Sequence, residues 1–170
     1  MKTIYLAGGC FWGMEKVLKI VPGVVSTTVG YANGHTEAPT YEQVKTDTTG
    51  FRETVKTEYD ENKVSLKQLL DIYFLCIDPT VYNQQGHDIG SQYQTGVYYD
   101  NEEDGELIRR VFEERKSIYP VFAPEADPLR NFYDAEEYHQ DYLDKNPHGY
   151  CHITNAELNA VKQYIAEHQL

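Results

Sequence analysis

Apolar positions along the chain follow two periods, and the switch between them predicts alternating strands and helices. Residues 3–7 form a short apolar run and residues 24–31 are rich in β-branched side chains, so both segments are predicted to be strands. Between them, residues 11–20 carry apolar side chains at helical spacing. Pro22 and Gly23 follow this segment, which therefore predicts a helix that ends before them.

A second group of elements follows with the same two periods. Residues 52–59 alternate, and the face that carries Glu53 leans apolar, which predicts a half-buried strand. Residues 66–76 are predicted to form an amphipathic helix that begins with a capping box. Residues 96–99 indicate a last strand, and residues 102–117 a helix with acidic side chains in its first turn.

The resulting order of elements is β-α-β-β-α-β, followed by a further helix. This order is that of the split βαβ, or ferredoxin-like, pattern, so the predicted fold is an α+β two-layer sandwich. Residues 119–152 lack clear periodicity and are expected to be irregular, and a capped final helix starts after Thr154. We expect one domain over residues 1–170, with the α+β core in residues 1–118 and a C-terminal tail in residues 119–170.

Composition and charge exclude several classes of partner. The 170-residue chain has a formal net charge of −12, which argues against binding to nucleic acid or to anionic membranes. No apolar run approaches the ~20 residues that a membrane-spanning helix needs, and no signal peptide is recognisable, so a cytoplasmic protein is expected. The three cysteines are widely separated, which indicates neither a disulfide framework nor a zinc site. We expect no metal and no bound cofactor.

Cys10 stands between the first predicted strand and the first predicted helix. Unpaired N–H groups and the helix dipole favour an anion at a helix N-terminus, so this position predicts a thiol with a lowered pKa. Gly8 and Gly9 permit close approach of the backbone, and the rings of Phe11 and Trp12 follow directly. These features predict a nucleophile beside an aromatic wall. A cysteine at such a junction is also often a small buried hydrophobic residue, so position alone leaves both interpretations open.

The run from Gly9 to Gly13, with Cys10, Phe11 and Trp12 inside it, resembles the signature of the A-type peptide methionine sulfoxide reductases. Further blocks resemble the same family in the same order, and the resemblance covers about residues 3–151. Any one block is weak, whereas the ordered set is specific. These blocks are Gly30-Tyr31 with Gly34, Tyr41, Thr49-Gly50 with Glu53, Asp78-Pro79-Thr80, Asn83, Gln85-Gly86, Asp88, Gly90, Gln92-Tyr93, Asn131-Phe132-Tyr133, Glu137-Tyr138-His139-Gln140 and Gly149-Tyr150-Cys151.

The resemblance implies an oxidoreductase that converts methionine S-sulfoxide, peptide-bound or free, to methionine. It makes Cys10 the nucleophile that attacks the sulfoxide sulfur and becomes a sulfenic acid. It makes Glu53 the acid that protonates the sulfoxide oxygen. The strand pattern supports this role independently, because a carboxyl on an apolar face is desolvated and holds its proton to higher pH. From the pattern alone, a structural glutamate with satisfied hydrogen bonds is the alternative.

Five further residues match the family's substrate-binding set. Phe11 and Trp12 are expected to hold the S-methyl group of the substrate, although Phe11 fits a core position equally well. Tyr41, Asp88 and Tyr93 are similar to the residues that position the sulfoxide oxygen and water. Without the resemblance, Asp88 would be interpreted simply as a turn residue.

Recycling of the nucleophile is assigned to the tail. Cys151 matches the family's resolving cysteine, so the resemblance implies a Cys10–Cys151 disulfide that thioredoxin, or dithiothreitol in vitro, reduces. Cys76 lies on an amphipathic helix and is interpreted as an inert core residue. The implied role is protein repair after oxidation, by a monomer that acts on oxidised proteins, peptides or free methionine sulfoxide and binds neither nucleic acid nor membrane.

Other classes of function stay open from the residues alone. A thiol peroxidase or a cysteine hydrolase would also use a nucleophilic Cys10, and a hydrolase could take its base from His35, His87, His139 or His148. A non-enzymatic module could instead bind methionine-rich partners through its aromatic side chains.

Three positions depart from the family pattern. Phe51 stands where His is usual, Gln94-Thr95 stands where Arg-Ser is usual, and Asn33 stands where a second glycine is common. These departures concern the surroundings of the predicted site and leave the predicted chemistry unchanged.

Overall fold

A computed structural model describes residues 1–149 and 153–170 of the chain. The predicted strands and long helices of the core all form, with bounds within one residue of those expected. The strands are β1 Lys2–Ala7, β2 Val24–Ala32, β3 Arg52–Tyr59, β4 Gln84–Gln85, β5 Asp88–Ile89, β6 Gly96–Tyr99, β7 Glu125–Pro128 and β8 Phe132–Asp134. The α-helices are α1 Phe11–Lys19, α2 Tyr41–Val44, α3 Leu66–Leu75, α4 Glu102–Lys116, α5 Tyr142–Lys145 and α6 Asn155–Glu167, and 3₁₀ turns cover Ser91–Tyr93 and Glu137–His139.

The centre of the main sheet has the predicted split βαβ arrangement. Within the described part of the chain this sheet has six strands, in the order β7-β6-β1-β3-β2-β8. Strand β3 lies between β1 and β2 and is antiparallel to both, and β6 is antiparallel to β1. The α1 crossover therefore joins two parallel strands on either side of β3, which confirms the ferredoxin-like α+β class.

Side chains from one face of the sheet and from α1, α3, α4 and α6 form the main apolar core. The buried face predicted for β3 is confirmed, because all four odd-numbered residues from 53 to 59 are buried; on the other face Thr54 is buried as well. The capping box predicted for α3 is also present, since Ser65 Oγ accepts a hydrogen bond from the Gln68 N–H (3.1 Å). Among the described residues, no helix is long and apolar enough to cross a bilayer.

The tail carries two strands that the sequence pattern did not predict, which corrects the expectation of a wholly irregular segment. Strand β7 pairs in parallel with β6 at one edge of the sheet, and β8 pairs antiparallel with β2 at the other edge. Strands of three or four residues are too short to show a period, and Pro128 ends β7 on an edge where proline is tolerated. Beyond β7, the tail side chains Leu129 and Phe132 pack on the second face of the sheet.

Asn33 joins the end of β2 to the segment between β7 and β8. Its backbone has a φ of +55°, in the left-handed region that asparagine tolerates better than most residues, which suits a position where glycine is common. The side-chain Oδ1 accepts a hydrogen bond from the Arg130 N–H (2.7 Å), and Nδ2 donates to the Pro128 carbonyl (3.1 Å). The side chain is therefore a buried junction between the core sheet and the tail.

Replacement of Asn33 by alanine should lower the free energy of unfolding by about 2 kcal/mol, because it removes the partner of two part-buried backbone groups and because alanine tolerates positive φ less well than asparagine. The exposed Asn62 provides the control, and Asn62→Ala should change stability by less than about 0.5 kcal/mol. Urea unfolding followed by circular dichroism measures both values. Equal stability of the two variants would show that the Asn33 junction does not stabilise the fold.

Candidate active site

The turn between β1 and α1 presents Cys10 at the start of the helix. Cys10 is the N-cap residue, with extended backbone angles (φ −63°, ψ 126°), and α1 begins at Phe11. Gly9 has a φ of +74°, a conformation that L side chains rarely adopt, so it supplies the sharp turn. A Cβ on Gly8 would lie 2.7 Å from Met14 Cε, so this glycine lets the turn pack against the helix. Cys10 is 7 % exposed and thus lies at the edge of the core.

Strand β3 places Glu53 beside the same helix start. The side chain is 2 % exposed, and its Oε1 accepts a hydrogen bond of 3.1 Å from the Phe11 backbone N–H. Burial raises the pKa of Glu53 to about 8; the Phe11 N–H opposes this shift and the charge of Asp88 adds to it. A carboxyl with this pKa is largely protonated at pH 7. The site therefore contains an acid next to the predicted nucleophile.

Two tyrosines interact electrostatically with Cys10 and Glu53. Burial, together with the charges of Glu53 and Cys10, raises the pKa of Tyr41 to about 12. Burial also raises the pKa of Tyr93, which feels the charges of Glu53, Tyr41, Asp88 and Cys10. Both phenols therefore stay protonated at neutral pH and can donate hydrogen bonds. Five predicted site residues therefore interact electrostatically and form one cluster, which consists of Cys10, Tyr41, Glu53, Asp88 and Tyr93.

The 3₁₀ turn that carries Tyr93 is held from β3 and from the loop after α2. Arg52, the neighbour of Glu53 in β3, donates from Nη1 to the Ser91 carbonyl (3.1 Å). On the other side of the turn, the Ser91 N–H donates to Asp47 Oδ1. These contacts tie the position of Tyr93 to the strand that carries the acid.

Aromatic rings form one wall of the cluster. Phe11 is 1 % exposed, and its ring lies 5.8 Å from that of Tyr31, so it belongs to the core and to the site at once. Trp12 stacks on Tyr142 of the tail, with centroids 3.7 Å apart and planes 11° from parallel. Aromatic residues of α1 and of the tail therefore form this wall together.

His139 is a neighbour of the cluster that sequence reasoning did not assign to this site. Its buried ring lies 5.4 Å from Phe11, 5.6 Å from Trp12 and 4.6 Å from Tyr41, measured between centroids. Neither ring nitrogen of His139 has a hydrogen-bond partner among residues 1–149 and 153–170. Burial lowers the pKa of His139, so the imidazole is neutral at pH 7. In the sequence, His139 lies in one of the family-like blocks and is one of four candidate bases for a hydrolase, but neither observation gives it a place beside Cys10.

The departures from the family pattern have packing roles. Phe51 is buried and meets the ring of Tyr133 edge-on at 5.8 Å. Gln94 is buried as well; its Oε1 accepts from the Asn83 N–H (2.7 Å) and its Nε2 donates to the Ala123 carbonyl (2.9 Å). Phe51 therefore packs against β8, and Gln94 joins the segments that carry Asn83 and Ala123.

Of the two other cysteines, the structure describes Cys76 alone. Cys76 is the C-cap residue of α3 and is 1 % exposed, in agreement with its interpretation as a core residue. Cys151, the predicted resolving cysteine, lies outside the described residues. Within the described part of the chain, no group of three or more His, Cys, Asp or Glu residues could hold a metal ion.

Comparison with known proteins identifies the family. The family model described as peptide methionine sulfoxide reductase matches residues 2–169. The peptide methionine sulfoxide reductase MsrA of Clostridium acetobutylicum is 54 % identical over 154 residues, which cover 90 % of this chain and 95 % of the relative. The reduced form of Mxr1 from Saccharomyces cerevisiae has a TM-score of 0.84 at 39 % identity, with 88 % of each chain covered.

A second Saccharomyces cerevisiae structure, Mxr1 in complex with Trx2, has a TM-score of 0.60 at 28 % identity and covers 83 % of this chain and 84 % of that one. The sequence match spans nearly the whole chain, and the structural matches share its fold. The cysteine at a helix start beside a buried glutamate agrees with these matches. The chain belongs to the peptide methionine sulfoxide reductase family.

Proposed function

We propose that this protein reduces methionine S-sulfoxide to methionine with Cys10 as the nucleophile and Glu53 as the acid. The observation that carries this proposal is the hydrogen bond of 3.1 Å between Glu53 Oε1 and the N–H of Phe11, the residue directly after Cys10. This contact puts a proton donor beside a thiol at a helix N-terminus. A sulfoxide needs both groups, because its sulfur accepts the nucleophile as its oxygen accepts a proton.

The first half of the reaction takes place at the cluster. The Cys10 thiolate attacks the sulfoxide sulfur while Glu53 gives its proton to the oxygen, which forms an intermediate with a bond between the two sulfurs and a hydroxyl on the substrate sulfur. The hydroxyl then passes to Cys10 Sγ as the bond between the two sulfurs breaks. Methionine departs, and Cys10 is left as a sulfenic acid, so the thiol is oxidised by two electrons and the sulfoxide is reduced by two. The protonated hydroxyls of Tyr41 and Tyr93 suit a role as donors to the sulfoxide oxygen.

The remaining site residues suit two tasks. One is contact with the apolar S-methyl end of the substrate, and the other is to keep Glu53 protonated. The rings of Phe11 and Trp12 offer an apolar surface for the S-methyl group. Asp88 raises the pKa of Glu53 through its charge and thereby helps to keep the acid protonated. These assignments follow the family resemblance and agree with the cluster described above.

The second half of the reaction regenerates the thiol. The Cys151 thiol attacks the sulfenic sulfur of Cys10, a disulfide forms and the oxygen leaves as water. A dithiol then reduces the disulfide by exchange. Thioredoxin is the proposed physiological reductant, supported by the structure of the related Mxr1 in complex with Trx2. Such recycling requires a reducing compartment, so we propose that the protein acts in the cytoplasm as a monomer on oxidised proteins, peptides or free methionine sulfoxide.

Replacement of Glu53 by glutamine should slow the reductive step by about 10²–10⁴-fold, the usual loss for a general acid. The active form of Glu53 is the protonated one, so the wild-type rate should stay level at neutral pH and fall as pH rises through about 8. The variant should lack this inflection. Single-turnover release of methionine, measured by rapid quench from pH 6 to pH 10, gives both results.

Glu58→Gln provides the matched control, because Glu58 lies on the same strand but on the opposite face. It should keep the wild-type rate and pH profile. A near-native rate for Glu53→Gln at pH 8 would show that another group protonates the oxygen.

Replacement of Cys151 by serine should separate the two halves of the cycle. The variant should release about one equivalent of methionine per chain and then stop when thioredoxin is the only reductant, and dithiothreitol should restore part of the turnover. A dimedone adduct should form on Cys10 in this variant and be scarce in the wild type, where the disulfide forms first. Rapid quench and mass spectrometry of peptides measure both quantities.

Two cysteine variants serve as controls for this experiment. Cys10→Ser should release no methionine, and Cys76→Ser should turn over nearly as fast as the wild type. Undiminished thioredoxin-driven turnover of Cys151→Ser would mean that Cys10 is recycled without the tail.

A further inference from the structure

Glu136, which follows β8 in the tail, connects three tyrosines around the cluster. Its Oε1 accepts a hydrogen bond from the Tyr31 hydroxyl (3.0 Å). Its Oε2 accepts one from the Tyr41 backbone N–H (3.1 Å) and one from the exposed Tyr138 hydroxyl (3.2 Å). The hydrogen bond from the Ala135 N–H to the Val29 carbonyl (2.9 Å) fixes the neighbouring backbone to β2. The carboxylate is thus anchored at a defined distance from the sheet.

The contact with Tyr41 replaces a bond that the helix itself cannot make. Tyr41 is the first residue of α2, and the N–H of a first helical residue has no partner inside its own helix. The helix has four residues and is too short to be stable alone. Its orientation therefore depends on contacts to the rest of the molecule, and Glu136 provides one at the residue that reaches the cluster.

The contact with Tyr31 fixes the other end of the carboxylate. Tyr31 is fully buried, lies opposite Glu53 in the β2–β3 pairing and packs against the ring of Phe11. Its hydroxyl therefore holds Oε1 at a rigid point of the core. With Oε1 fixed, Oε2 has a defined position from which it accepts the Tyr41 N–H.

We propose that Glu136 is a positioning residue for sulfoxide reduction, which holds Tyr41 against the cluster through its backbone N–H. The inference rests on the proposed function and extends it from the groups that meet the substrate to one that orients them. Only an ionised carboxylate suits the position, because it accepts all three hydrogen bonds. A glutamine has one acceptor oxygen, and its NH₂ group would face a donor.

The protonation state of Glu136 agrees with this role. Partial burial disfavours the charged form, but the hydrogen bonds from the Tyr41 N–H and the Tyr31 and Tyr138 hydroxyls outweigh it and lower the pKa of Glu136. The group is therefore ionised at the pH where Glu53 is protonated.

The neighbouring Glu137 is a matched control for Glu136. It has the same side chain, but 92 % of that side chain is exposed and its carboxylate lies 3.7 Å from Lys145 Nζ at the surface. Glu137→Gln changes the net charge by the same amount and leaves the contacts of Tyr41 intact.

The test compares Glu136→Gln with Glu137→Gln and the wild type in two measurements. The first is kcat/KM for methionine sulfoxide, which should fall about tenfold in Glu136→Gln, the loss expected for a hydrogen bond to a charged group, and stay unchanged in Glu137→Gln. The second is hydrogen exchange of the Tyr41 amide, which should speed up in Glu136→Gln alone. Exchange needs no substrate, so it tests the contact even if the proposed function fails.

A double-mutant cycle separates positioning from general destabilisation. If Glu136 acts through Tyr41, Glu136→Gln should cost little further rate in a Tyr41→Phe background. Fully additive losses, or wild-type exchange and kcat/KM in Glu136→Gln, would overturn the inference. A wild-type protein without sulfoxide reduction would instead overturn the proposed function.

A second variant keeps the test decisive if Glu136→Gln does not fold. Tyr31→Phe removes the donor that anchors Oε1 and leaves the charge of Glu136 in place. It should also accelerate exchange of the Tyr41 amide and lower kcat/KM. Unchanged values of both would contradict the role of the carboxylate as an anchored support.

Discussion

The hydrogen bond from the Phe11 N–H to Glu53 fixes the geometry on which the whole site depends. Phe11 opens the helix that follows β1, and Glu53 lies in β3, which pairs directly with β1. The sheet register therefore decides how far the carboxyl lies from Cys10. A shift of one residue would turn Glu53 to the opposite face, because the side chains of a strand alternate. The pairing of the proposed acid with the proposed nucleophile is thus a consequence of how two central strands align.

The tail turns this pair into an enclosed site. Strand β8 adds to the edge of β2, and the segment after it brings His139 and Tyr142 onto the rings of Phe11 and Trp12. These contacts help to exclude water from the helix start. Exclusion of water matters because the high pKa of Glu53 comes mainly from burial.

The sequence predicted the parts of the site that local patterns determine. A strand–helix junction drew attention to Cys10 and the alternation of a single strand to Glu53, and the family resemblance then decided between the alternatives that these patterns left open. Tyr41 and Tyr93 were identified by family resemblance only, because a four-residue helix and a 3₁₀ turn leave no period in the sequence. The role of Glu136 was not predicted, since its contact with Tyr31 joins residues 105 positions apart.

The same limit applies to the fold. The order of long elements was sufficient to predict the split βαβ core, because each element has a period and a capping or breaking signal of its own. The edge strands β7 and β8 depend instead on long-range pairing with β6 and β2. The role of Asn33 likewise depends on long-range contacts, because its hydrogen bonds cross the junction between the sheet and the tail.

Glu53 in the cluster and Glu136 beside it have opposite protonation states at pH 7, and the difference has a simple physical origin. Glu53 is nearly fully buried and near the charge of Asp88, so it holds its proton to a pH of about 8 even though it accepts the Phe11 N–H. Glu136 is less buried and accepts hydrogen bonds from three donors, so its charged form prevails. The first can give a proton to a substrate oxygen, whereas the second can only accept hydrogen bonds. One side-chain type thus suits both the proposed acid and the proposed anchor, and the balance between burial and the number of donors around each carboxyl decides which role it takes.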